Sequence, residues 1–136
     1  MTRDEMIRLI QEVQFGYLAT IGTDGSPCVR PISIKDVYGD DFYFFTFNTT
    51  RKVAEMEANP RVEVVWMKMD GMSQARVKGD AAPVTDEAVI KQFMADNPMA
   101  SQIIPPGGEH LFALYKIVPA KIEAATGMVP YTEVEW

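Results

Sequence analysis

The sequence predicts a mainly β domain: a small antiparallel β-barrel of six strands with three short flanking helices. Three observations carry this expectation. Apolar strand patterns recur in six segments. Most of these segments are joined by hairpin signals. Helical periodicity is confined to three short stretches that do not alternate regularly with the strands, as a doubly wound parallel sheet would require. A length of 136 residues fits one domain over residues 1–136. A content of 47% hydrophobic and 24% charged residues is ordinary globular composition and excludes wholesale disorder.

The elements follow in chain order. Thr2 and Glu5 have capping-box spacing before a stripe of Met6, Ile7, Leu9, Ile10 and Val13, which predicts an opening helix of about three turns. Tyr17–Ile21 reads as a buried strand, and Thr23–Ser26 carries the Asp-Gly hairpin signature. Cys28–Lys35 reads as the second strand; Pro31 cannot donate a ladder hydrogen bond, so this strand should lie at an edge or bulge there. Residues 36–41 read as a turn and Phe42–Phe47 as an aromatic third strand. Arg51–Ala58 has helical period and stops at Asn59-Pro60, since a residue before proline is pushed out of the helical region. Arg61–Met69 and Ser73–Ala81 read as a hairpin across Asp70-Gly71, with Ala75, Val77 and Gly79 alternating against Gln74, Arg76 and Lys78. Thr85–Asn97 reads as the last helix, residues 103–108 as a loop, and Leu111–Ala125 as a long strand interrupted by Pro119.

Charge and residue counts narrow the function classes. Nineteen acidic against thirteen basic residues give a net charge of −6, which argues against a chain that coats nucleic acid or an anionic membrane. A bound anion would need the basic residues concentrated locally. The single cysteine, Cys28, excludes an internal disulfide and a CxxC zinc pair; the single histidine, His110, leaves no histidine cluster for a metal. No apolar stretch reaches transmembrane length and the first residues lack a signal-peptide pattern, so the expected compartment is the cytoplasm.

One stretch stands out. Thr49-Thr50-Arg51-Lys52 opens a helix, where unpaired N–H groups and the positive end of the dipole disfavour cations by roughly 0.3–1 kcal/mol each. An anion held by the hydroxyls, the N–H groups and both cations would reverse that cost, and phosphate is the usual anion in such a place. The alternative is that both cations are solvated. Arg30 and Lys35 form a second basic pair, five residues apart and so on opposite faces of a regular strand. Gln74 offers donors and an acceptor suited to the imide-like edge of a heterocycle. Tyr43-Phe44-Phe45 and Trp66 can flank a flat ring or serve as core. Trp66, Met67, Met69 and Met72 are candidates for a subunit interface or, again, for core.

Four pieces in register, Arg30–Lys35, Phe44-Phe45-Thr46 leading to Thr50-Arg51-Lys52, Asn59-Pro60-Arg61-Val62 and Ser73–Gly79, resemble the pyridoxamine 5′-phosphate oxidase-like, FMN-binding split-barrel family over roughly residues 15–82. The resemblance implies a six-stranded split barrel, an FMN-dependent oxidoreductase acting on a small molecule, and a homodimer holding flavin at its interface. It implies flavin contacts from Arg30 and Lys35, a phosphate grip from Thr50, Arg51 and Lys52, Phe45 and Thr46 along the isoalloxazine, and Gln74 at the ring edge. The sequence departs from the vitamin B6 oxidases at its C-terminal end, where Thr132–Trp136 stands in place of an Arg-x-His motif. It therefore reads as a short, divergent member. Other short relatives bind haem or the deazaflavin F420, so a non-catalytic flavin or haem carrier and an F420-dependent reductase are the alternatives.

Overall fold

A computed structural model describes residues 1–136. Helix α1 (Arg3–Val13) is capped as its sequence predicts: Thr2 Oγ1 accepts from the Glu5 amide at 3.2 Å, and the Thr2 amide donates to Glu5 Oε2 at 2.7 Å. Its Met6, Leu9 and Ile10 are buried. The strands are β1 (Gly16–Ile21), β2 (Pro27–Ile32), β3 (Asp36–Tyr38), β4 (Asp41–Phe47), β5 (Arg61–Lys68), β6 (Ser73–Pro83), β7 (Phe112–Thr126) and β8 (Thr132–Glu133). Helix α2 (Arg51–Ala58) links β4 to β5, and α3 (Glu87–Asp96) and α4 (Pro98–Ile103) link β6 to β7. No helix is long and apolar enough to cross a membrane.

All pairings are antiparallel, in the order β2-β1-β5-β6-β7-β4-β3, with β8 added to β7. A flat sheet of this order would put its two edge strands roughly 29 Å apart, at about 4.8 Å per neighbour. Yet β2 and β3 are joined by Ser33, Ile34 and Lys35 alone, a link that spans at most about 15 Å. The sheet must therefore curl into a barrel. It stays split, because β2 and β3 do not pair. The seam is closed from inside: Ile34 is fully buried, and the indole N–H of buried Trp66 donates to its carbonyl at 2.9 Å. The core runs through Leu18, Ile32, Phe42, Phe44, Val64, Val77 and Ile117.

Strand β4 is covered on both sides, which is why its aromatic run lacks alternation. Phe42 and Phe44 enter the barrel core, while Tyr43 packs with Phe93 of α3 and with Leu114.

Four expectations change. The sheet has eight strands rather than six, because residues 36–38 of the expected turn pair with β4 and residues 132–133 pair with β7. A fourth helix, α4, begins on Pro98, a residue suited to a first helical turn. Strand β2 ends at Ile32 rather than Lys35, while Pro31 lies in an edge strand as expected, opposite Tyr17 and without a bulge. The bulge falls instead at Lys78/Gly79 against Pro119, which lets proline sit in a central strand. Finally, Trp66 is core rather than interface, whereas Met69 and Met72 are exposed.

Candidate functional site

The basic residues converge where α2 begins beside β1 and β2. Register sets which side chains can meet. Arg30 stands opposite Leu18, Leu18 opposite Val64, and Val64 opposite Val77, all on the inward face of the sheet. The Arg30 guanidinium reaches α2, where Nη2 donates to Glu55 Oε1 at 2.8 Å. Its Nη1 donates to Thr20 Oγ1 at 2.7 Å and to the Leu18 carbonyl at 3.3 Å. Glu55 is 2% exposed. The Cys28 thiol, Arg30, Arg51 and the Thr20 hydroxyl hold its carboxyl below the usual carboxylate range against the opposing effect of burial. The neighbouring Glu55 carboxylate, and then burial, push the Cys28 thiol up.

Arg51 reaches back toward Glu55, with Nε 3.8 Å from Oε1, and its side chain is otherwise exposed. Lys52 lies half-buried and donates to Thr46 Oγ1 at 2.8 Å. Burial, and then the neighbouring Arg30 charge, lower the Lys52 pKa from the ordinary lysine value. Thr50 occupies the N-cap of α2, but its hydroxyl donates to the Phe47 carbonyl at 2.8 Å and makes no cap bond. Helices α1 and α3 are capped by Thr2 and Asp86 side chains, whereas the first amides of α2 face no side-chain acceptor. Two hydroxyls, a half-buried ammonium, two guanidiniums and an uncapped helix start lie together, a cradle that could hold an anion.

The structure thus brings together Arg30, Thr46, Thr50, Arg51 and Lys52. Lys35 is half-buried in the link after β2, outside the regular strand, so the opposite-face argument does not apply to it. Phe45 turns its ring away from Thr46, stacking on Phe112 at 5.9 Å between centroids and edge-on to Phe93 at 6.2 Å. Gln74, Arg76 and Lys78 alternate with Ala75 and Val77 and lie on the outward face, opposite to Arg30. There the Tyr131 hydroxyl donates to Gln74 Oε1, and Arg76 covers the Tyr131 ring at 4.6 Å and pairs with Glu63 at 3.1 Å. His110 is exposed, and its carbonyl accepts from Asn48 at 2.7 Å.

A family model described as pyridoxamine 5′-phosphate oxidase matches residues 2–124. The chain belongs to the pyridoxamine 5′-phosphate oxidase family. A pyridoxine/pyridoxamine 5′-phosphate oxidase of Leptospira interrogans is 34% identical over 94 residues, 69% of this chain and 44% of that protein. One from a Nocardioides species is 37% identical over 86 residues, 63% of this chain and 40% of that protein. The chain therefore spans less than half the length of these family members. Among solved structures, a NimC/NimA family protein from Clostridium acetobutylicum superposes with a TM-score of 0.79 at 21% identity, covering 96% of this chain and 91% of that one. A pyridoxamine 5′-phosphate oxidase-related, FMN binding protein from Nostoc punctiforme gives 0.68 at 15% identity, covering 96% and 88%. A haem binding protein from Mycobacterium smegmatis gives 0.75 at 16% identity, covering 95% and 56%, and an F420 reductase gives 0.68 at 19%, covering 85% and 93%. These structures share the split-barrel fold of the family, and at such identities fold is what the likeness establishes.

Two residues that contact Arg30 carried no signal as site residues. Thr20 reads as an ordinary strand residue. Glu55 reads as one of the solvated acids of a short helix; its i, i+4 spacing from Arg51 places both on one face, but only the fold lays Arg30 over that face.

Proposed function

We propose that this chain binds FMN and works as a flavin-dependent oxidoreductase on a small molecule. The observation that carries the reading is Lys52, a half-buried ammonium beside Arg30 that hydrogen-bonds to Thr46 and pairs with no carboxylate. Desolvating a cation without a counter-charge is costly. A phosphate at the start of α2 supplies that counter-charge and accepts from the uncapped amides. In this reading Arg30, Thr46, Thr50, Arg51 and Lys52 take the 5′-phosphate, and Lys35 and the β4 backbone at Phe45 contact the rest of the flavin. When bound, FMN supplies the hydride or electron transfer, and the chain orients the ring and sets its electrostatics.

The reading includes a homodimer. Gln74 and Arg30 lie on opposite faces of the sheet, so one flavin touches both only if Gln74 comes from a second copy. The outward face is suited to burial, for Tyr17 and Val29 are 52% and 70% exposed there.

Titration of cofactor-free protein with FMN, F420 and haem tests the reading. FMN is expected to bind with the highest affinity; saturable binding of F420 or haem in its place contradicts it. Anaerobic addition of NADH or NADPH followed by quinones or nitro compounds then separates catalyst from carrier. Reduction and turnover are expected, and a bound flavin that no nicotinamide reduces identifies a carrier.

A further inference from the structure

We propose that Glu55 is the positioning residue of the phosphate cradle, holding the Arg30 guanidinium in place for the anion without touching it. The proposal rests on the FMN reading above. Glu55 is a charge in the interior at 2% exposure, while Glu57, two residues on, is exposed. A buried carboxylate persists only when its neighbours satisfy it. Here they come from two elements: Arg30 of β2, at 2.8 Å, and Arg51 of α2 itself, at 3.8 Å. The carboxylate therefore ties the edge strand to the helix that begins the cradle.

The donors of Arg30 divide in a way that suits this role. A guanidinium carries five N–H donors. Two on Nη1 go to Thr20 and Leu18, and one on Nη2 goes to Glu55. The Nε–H and the second Nη2–H have no partner among these contacts, so two donors remain for an anion. Charge matches as well. Arg30, Arg51 and Lys52 less Glu55 leave two positive charges, opposite a phosphate monoester that carries about −1.5 to −2 at neutral pH.

The test uses the sign of an effect. Glu55 is an anion near a bound anion, so by electrostatics alone its neutralisation in Glu55→Gln relieves repulsion and tightens FMN. Positioning predicts the reverse: with Arg30 free to move, FMN weakens by roughly 10–100-fold, the worth of a charge-assisted hydrogen bond. Riboflavin, which lacks the phosphate, should change by less than about threefold, within the worth of a minor contact. Glu55→Asp keeps the charge but withdraws it by one methylene, and FMN should weaken there too. Circular dichroism and a flavin-free thermal melt check that each variant is folded; where Glu55→Gln yields too little folded protein, Glu55→Asp decides. Variants that bind FMN as tightly as the wild type, or that lose FMN and riboflavin equally, overturn the proposal. A wild-type protein that binds no FMN overturns the flavin reading and this proposal with it.

Discussion

Lys52 differs from the surface lysines of this chain by lying half-buried, beside Arg30, with a threonine hydroxyl as its partner. That environment gives FMN binding a pH dependence. In the ligand-free protein the ammonium is disfavoured and its pKa lowered; a bound dianion favours it, so the proton must be present for the phosphate to bind tightly. Affinity for FMN should fall as pH rises through the lowered Lys52 value, before the ordinary lysine range, while riboflavin affinity stays flat over the same window. Parallel fluorescence titrations read this directly. Glu55 acts at the other end. Its lowered pKa means that its ion pair is intact above the ordinary carboxylate range and is lost as pH falls through the folded value. Replacing Arg51 and Lys52 together by Ala should cost FMN about 2 kcal/mol or more, roughly 30-fold, and riboflavin far less. Equal losses for the two ligands contradict the phosphate assignment.

At the scale of elements, the β6–β7 pair depends on one close approach. A Cβ at Gly79 would lie 2.1 Å from the Val118 carbonyl oxygen, a backbone atom that cannot swing aside. Gly79 therefore permits the register shift that accommodates Pro119. Gly79→Ala is expected to destabilise the fold by about 1–3 kcal/mol, as overpacking does, visible as a lower urea midpoint at unchanged slope. A variant as stable as the wild type would show that the strands separate there without cost. Helix α1 offers a smaller test. Thr2→Ala removes a cap and should cost about 1 kcal/mol, with little effect on flavin affinity, because α1 packs chiefly on β5 and β6.

For the whole molecule, the proposed dimer makes Val29 informative. Its side chain is 70% exposed on the outward face of the edge strand, so Val29→Glu should leave the fold intact. If two copies meet on this face, the buried charge splits the dimer, and light scattering with size-exclusion chromatography reads half the mass. A dimer of unchanged mass places the interface elsewhere. Flavin affinity should fall with the dimer, since Gln74 is then no longer supplied by a second copy.

The sequence by itself determined the mainly antiparallel architecture, the opening helix, the hairpins and the start of α2, because these rest on local rules: period, capping and turn chemistry. Its motifs also carried the family, the basic residues Arg30, Arg51 and Lys52, and the Thr50 hydroxyl beside them. The short strands β3 and β8 escaped it because two or three residues leave no period to read, and their pairing with β4 and β7 is made by distant chain. The direction of Phe45, away from Thr46, was hidden in the aromatic run, since only the docking of α3 reveals that both faces of β4 are covered. Glu55 was invisible for the same kind of reason. On an isolated helix it is a solvated acid. The curl of the sheet, forced by the three-residue link between its edges, brings α2 against β1 and β2 and turns Glu55 into the buried partner of Arg30.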